Sequence, residues 1–171
     1  MLKFSGGVAF ILLCFSIIVA PVVQAQPAFD EPEWAETQVP PPPAFDVKKL
    51  VAVDVPGSAL AYGVDPASIQ ISKKDGIVRY VMVAASASGA RNVMYEGLRC
   101  STGEFKTYSR YSPEGKWNPV ADSPWRSVFG NMPSKHALQF AKAGACDGAT
   151  AAITVDELVS RLKNPNYRTS N

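Results

Sequence analysis

The chain has 171 residues, 47% of them hydrophobic and 19% charged, with a formal net charge of +2. That balance excludes wholesale disorder and a polytopic membrane protein, and the length suits one ordinary domain rather than two. The charge is uneven. Residues 26–46 carry Asp30, Glu31, Glu33, Glu36 and Asp46 with no Lys or Arg, while the 16 Lys and Arg against 10 Asp and Glu from residue 47 onward are too scattered for a nucleic-acid footprint.

Residues 1–25 read as a secretory signal peptide. Lys3 supplies the positive start, Val8 to Val19 the apolar stretch, Pro21 a break, and Val23-Gln24-Ala25 the small residues that predict cleavage after Ala25. An uncleaved anchor competes with this reading, but the run is shorter than the roughly 20 residues that span a bilayer. Lipoprotein processing at Cys14 fits poorly, because that cysteine lies inside the apolar run behind Leu13.

Without the signal two cysteines remain, Cys100 and Cys146, in a compartment that oxidises thiols, so a disulfide between them is expected. The alternative is an envelope hydrolase in which Cys146 or Cys100 is a nucleophile activated by His136, the only histidine.

Residues 26–46 hold Pro27, Pro32 and the run Pro40 to Pro43, which favours extended polyproline II. The segment reads as an acidic, solvated linker. A ligand for a Pro-binding groove anchored by Trp34, or acids folding back on a basic face, are the other readings. A single globular domain is expected over 47–166, with a tail at 167–171.

Turn signals at Pro56-Gly57 and Asp65-Pro66 separate short strands at Leu50 to Val55, Ala59 to Val64 and Ile69 to Ser72. After the turn Lys73 to Gly76, Ile77 to Ser86 and Arg91 to Cys100 read as a hairpin closed by a two-residue Ser88-Gly89 turn. That register opposes Ile77 to Cys100, Arg79 to Leu98, Val81 to Glu96 and Tyr80 to Gly97. It would put Glu96 diagonal to Arg79 as an ion pair and lay the Tyr80 ring over Gly97. Phe105 to Tyr111 continues the meander, and Lys116-Trp117 begins a further strand beyond Ser112 to Gly115.

Ser134 reads as the cap of a helix running to Gly144, and Thr154 with Glu157 as the capping box of a second. Val155, Leu158, Val159 and Leu162 form its apolar stripe, and Asn164-Pro165 ends it. The fold class is therefore α+β: an antiparallel meander of about five or six strands with one or two C-terminal helices packed on one face.

No catalytic constellation assembles from these residues. One histidine and no paired cysteines at ligand spacing argue against a metal site, and no dinucleotide or triphosphate loop implies a cofactor. A serine triad would need His136, yet no Gly-x-Ser-x-Gly elbow occurs. Glu96 and Glu104 are a weak carboxylate pair. A binding surface is the stronger reading, and the register above gathers Arg79, Tyr80, Tyr95, Glu96, Gly97 and Arg99, with Trp117 and Trp125 beyond the hairpin, as its residues.

The blocks Val64-Asp65-Pro66-Ala67-Ser68-Ile69, Asp75-Gly76-Ile77-Val78-Arg79-Tyr80, Ser88-Gly89-Ala90-Arg91-Asn92-Val93 and Tyr95-Glu96-Gly97-Leu98-Arg99-Cys100 resemble the cryptic neisserial protein family of bacterial envelope proteins. The resemblance runs from about Asp46 through Trp117 and Trp125 to Cys146. It implies a periplasmic protein of a Gram-negative bacterium, implies no activity, and singles out Arg79, Tyr80, Glu96, Gly97, Arg99 and Cys100. A looser likeness to the surface adhesin E group, which binds host or matrix proteins, concerns the fold. The sequence thus predicts a non-enzymatic, monomeric binding module whose partner is an envelope protein or cell-wall component, with no nucleic acid and no transmembrane segment after cleavage.

Overall fold

A computed structural model describes residues 1–2 and 33–164. The expected signal peptide from residue 3 onward, its cleavage site and the 167–171 tail lie outside the described residues. From Trp34 to Asn164 the described chain forms one unit.

Eight strands make one antiparallel sheet: β1 (Val51–Val53), β2 (Ala61–Val64), β3 (Gln70–Ile71), β4 (Ile77–Ala85), β5 (Arg91–Arg99), β6 (Glu104–Tyr111), β7 (Trp117–Pro119) and β8 (Arg126–Ser127). The path is β1-β2-β4-β5-β6-β7, a meander with two short additions, β3 on β4 and β8 on β6. Helix α1 (His136–Phe140) runs into a π-type turn (Ala141–Ala145). A small hairpin follows, β9 (Cys146–Asp147) with β10 (Thr150–Ala151), then helix α2 (Val155–Lys163). This is the expected α+β arrangement.

Strands β2 and β3 lie end to end along β4, and the Asp65-Pro66-Ala67-Ser68 turn fills the gap between them. There the Val81 N–H would lose its ladder partner, but the Ser68 hydroxyl oxygen accepts it at 2.9 Å. Asp65 accepts the Ala67 N–H at 3.0 Å and the Asp46 N–H at 2.7 Å, so one carboxylate shapes the turn and holds the chain entering the sheet.

The central hairpin forms where expected but one residue out of the expected register. Ile77 opposes Arg99, Val78 Leu98, Arg79 Gly97, Tyr80 Glu96 and Met82 Met94. The cause is the loop. Ser86 N–H donates to Ala90 O and Gly89 N–H to Ser86 O, leaving three loop residues, with Gly89 at φ 87° in the left-handed position such loops require. Since side chains alternate, one step reassigns which residues face each other.

Val78, Tyr80, Met82, Met94, Leu98 and Phe105 face the helices, where they meet Ala137, Phe140 and Leu158 in the main core. The Tyr80 and Phe140 rings pack 4.3 Å apart between centroids. Arg79, Val81, Val83, Val93, Tyr95 and Gly97 alternate to the opposite face. Tyr80 therefore does not cover Gly97, and Arg79 and Glu96 lie on opposite faces and cannot pair. The disulfide Cys100–Cys146, Cα atoms 5.6 Å apart, ties the end of β5 to the turn after α1 and so staples the helical layer to the sheet.

Helix α2 begins as expected: Thr154 Oγ1 accepts the Glu157 N–H at 3.1 Å, and Leu158 is fully buried. Helix α1 starts differently. Its N-cap position is Lys135, without a side-chain cap bond, while Ser134 Oγ accepts the His136 N–H at 3.2 Å.

Candidate functional site

The face away from the helices is covered by the segment expected to be a linker. Apolar side chains explain why: Val39 and Phe45 of the segment, with Leu50 just beyond it, pack on Val81, Val83, Val93 and Tyr95, with Tyr108, Tyr111 and Trp117 around them. A proline-rich chain cannot extend the ladder, but it can lay side chains across a sheet. Phe45 meets Tyr111 and Trp117 edge-on, at 5.0 and 5.7 Å between centroids.

Polar anchors fix the register of this strap. Trp34 donates its indole N–H to Asp75 O at 2.9 Å and stacks under the Arg99 guanidinium, 3.6 Å from the ring centroid. Asp75 accepts the Thr37 N–H at 3.1 Å and hydroxyl at 2.5 Å, and takes Arg79 at 2.8 Å. Burial alone would raise the Asp75 carboxyl pKa, but the bonds from Arg79, Ser72 and Thr37 outweigh it and hold the group well below the usual carboxylate range. Glu36 accepts from Tyr108 Oη at 2.6 Å and Lys106 Nζ at 3.1 Å, with Arg79 3.7 Å away. Glu36, one of the five acids of this segment, thus sits against Arg79 and Lys106 of the sheet.

Tyr108 also lies against Gly97, where an added Cβ would meet the ring carbons at 2.9 Å. The glycine is covered by an aromatic ring, as strand glycines often are, but by Tyr108 of β6 rather than Tyr80. Tyr108 is the extra residue of a β-bulge, since Tyr95 opposes Ser109 while Glu96 opposes Thr107. The bulge resets the alternation. Arg110 now opposes Met94 on the helix-side face, and Tyr111 opposes Val93 on the strap side.

Most of the sequence-derived surface is consequently interior. Arg79, Tyr80, Tyr95 and Glu96 are 0–2% exposed, and Gly97 is buried. Tyr80 and Tyr95 fall on opposite faces. Arg99, Trp117 and Trp125 are half-buried, and Trp125 sits edge-on to Trp34 at 5.9 Å. These side chains build the fold and seat the strap, which corrects their reading as a solvent-facing patch.

An open site lies on the other face, over Ala84 of β4, Met94 and Glu96 of β5, and Phe105, Thr107 and Arg110 of β6. There a cleft of about 490 Å³ forms between the sheet and the 120–134 loop. Leu60, Met94, Phe105 and Met132 give it apolar walls, Arg110 and Arg126 line it with charge, and Glu96, Ser134 and His136 close one end. A second groove of about 500 Å³ runs under Pro40 to Pro42. Its one cation, Lys106, is already bound to Glu36.

His136, Glu96 and Ser134 form a line, His136 Nε2 2.9 Å from Glu96 Oε2 and Nδ1 2.9 Å from Ser134 Oγ. Thr107 donates to the other Glu96 oxygen at 3.1 Å. Burial would lower the His136 pKa and nearby Arg110 adds to that, but the charge and hydrogen bond of Glu96 prevail and raise it.

The line resembles a serine triad, but the oxygen is saturated. Ser134 Oγ meets the His136 N–H, Nδ1 and Tyr62 Oη, the last at 2.9 Å. It accepts the His136 N–H and donates its one proton to Tyr62 Oη, which leaves Nδ1 to donate to it, so both lone pairs accept and no proton is held for the imidazole to take. The Cys/His alternative also fails, since both sulfurs are bound in the disulfide and neither carries a thiolate. Among the described residues no cluster of three or more His, Cys, Asp or Glu could hold a metal ion.

Sequence reasoning did not find Arg110 or Arg126. Placing Arg110 requires the bulge at Tyr108, and a bulge leaves no composition signal. The strap did leave one: Trp34, Val39 and Phe45 are residues that a solvated spacer has no use for.

These features define a disulfide-stapled α+β domain with an integral N-terminal strap and a cation-lined cleft. The chain belongs to the CNP1-like family, whose model matches residues 29–163 and so takes in the strap. No curated protein and no solved structure matches it significantly. Family membership and the disulfide together point to an exported protein.

Proposed function

We propose that this protein is a non-enzymatic, monomeric binding module of the periplasm of a Gram-negative bacterium, released by cleavage after Ala25. Its ligand site is the cleft between the sheet and the 120–134 loop, and its ligand is a component of the cell envelope. One observation carries the reading: the cleft of about 490 Å³ is within the size range of small-molecule sites, and apolar walls with a few convergent polar groups are their usual lining. The hairpin surface is no competitor, because its central residues are buried.

Native mass spectrometry of the protein recovered from envelope extracts tests this. The wild type should retain a small non-covalent adduct. The double variant Leu60→Trp, Met132→Trp, which narrows the cleft from two walls, should lose it at an unchanged melting temperature. A wild type that carries nothing from any extract, or a variant that keeps the adduct, contradicts the reading.

A further inference from the structure

We infer that the cleft takes an anionic amphiphile, a carboxylate or phosphate head on an apolar tail, with Arg110 and Arg126 gripping the head. This rests on the cleft being the ligand site.

The charge balance of the lining leads to it. Three cations, Lys106, Arg110 and Arg126, face a single carboxylate, Glu96. Glu96 is hydrogen-bonded to Thr107 and paired with His136, and it forms no ion pair with either arginine. Lys106 is bound to Glu36 on the strap. Arg110 donates one N–H to Asn92 Oδ1 at 3.0 Å, which orients the guanidinium without neutralising it. Among the described residues neither Arg110 nor Arg126 forms an ion pair.

Arg110 and Arg126 line the same cleft with positive charge, and an oxyanion head is the ligand group that charge attracts. The planar guanidinium matches a carboxylate or phosphate with two parallel N–H bonds, which a lysine cannot offer. Asn92, with its side-chain amide 3.6 Å from Met94 Sδ, marks where the polar rim meets the apolar wall. Leu60, Met94, Phe105 and Met132 then receive the tail. The arrangement also excludes alternatives. A cationic ligand would meet both arginines, and a neutral apolar one would leave them unanswered.

Calorimetric titration of the full mature chain with decanoate, decyl phosphate, decanol and acetate tests the inference. Decanoate and decyl phosphate should bind, their ratio distinguishing a carboxylate from a phosphate head, and both should weaken as salt rises. Decanol and acetate, each lacking one half of the ligand, should bind at least about ten-fold more weakly. Arg110→Gln and Arg126→Gln should each lower decanoate affinity by about ten-fold or more at unchanged melting temperature. Decanol binding as tightly as decanoate, a double Gln variant that binds as wild type, or no binding of either anion overturns the inference. If anions fail while the envelope adduct above still depends on an open cleft, this inference alone is lost. Loss of that adduct too would remove the reading beneath it.

Discussion

Asp75, two residues before β4, and Arg79, the third residue of β4, form a 2.8 Å ion pair whose side chains are 0% and 3% exposed, and through it the strap is joined to the sheet. A buried pair of this kind costs more to break than it contributes net, because among the described residues the surviving Arg79 keeps only Glu36, 3.7 Å away, as an anionic partner. Asp75→Asn should therefore lose about 3–5 kcal/mol in urea denaturation at neutral pH. The folded pKa of Asp75 lies below its unfolded value, so its contribution is complete above about pH 4 and declines as pH falls through the folded value. The gap between wild type and Asp75→Asn should thus narrow in acid. A gap independent of pH would mean that the carboxylate's charge is not what matters.

Two tyrosines on the same face should respond oppositely to loss of the hydroxyl. Tyr95 Oη is buried with no hydrogen-bond partner among the described residues, so Tyr95→Phe should be neutral or stabilise by about 1 kcal/mol. Tyr108 Oη donates to Glu36 at 2.6 Å, and Tyr108→Phe should destabilise by about 1–3 kcal/mol. Paired thermal melts would show the contrast, and equal shifts would contradict the placement of the strap.

The His136 imidazole faces Glu96, Arg110, Ser134, Tyr62 and the Phe105 ring. Its folded pKa is raised above the ordinary 6.5, so the stabilisation is fully present below about pH 6.5 and is lost as pH rises through the folded value. Denaturation midpoints should fall across that window, and Glu96→Gln should flatten the slope. A slope that survives Glu96→Gln would assign it to another group.

Replacing both Cys100 and Cys146 with Ser should lower stability by about 4 kcal/mol, from the loop of 46 residues they close. The measurement is chemical denaturation of the double variant beside the oxidised wild type. A difference under about 1 kcal/mol would mean that the helical layer holds to the sheet without the staple.

How much of this was legible depends on how local each signal is. The strands of the central hairpin, the α2 capping box and the Cys100–Cys146 pair were read from nearby residues or from counting, and the structure contains all three. The register was missed because it turns on whether Gly89 closes a two- or a three-residue loop, and the same dipeptide suits both. That single step hid the assignment of Tyr80 to the core and of Arg79 to the strap. The His136–Glu96 contact, 40 residues apart in sequence, and the bulge that turns Arg110 into the cleft arise only when the strands assemble. The blocks that carry the family resemblance prove largely structural: Asp65 and Ser68 bridge two strands, Asp75 and Arg79 hold the strap, and Gly97 makes room for Tyr108.

The central claim is that ligand contact belongs to the cleft while the hairpin residues hold the fold, and one comparison tests it most directly. Decanoate affinity and melting temperature would be measured side by side for Arg110→Gln and Arg99→Gln. The account predicts that Arg110→Gln weakens binding by about ten-fold with the melting temperature unchanged. Arg99→Gln, which removes the cation stacked on Trp34, should lower the melting temperature and leave affinity unchanged. The reverse pattern, with affinity following Arg99 and indifferent to Arg110, would contradict the account and return the binding site to the hairpin.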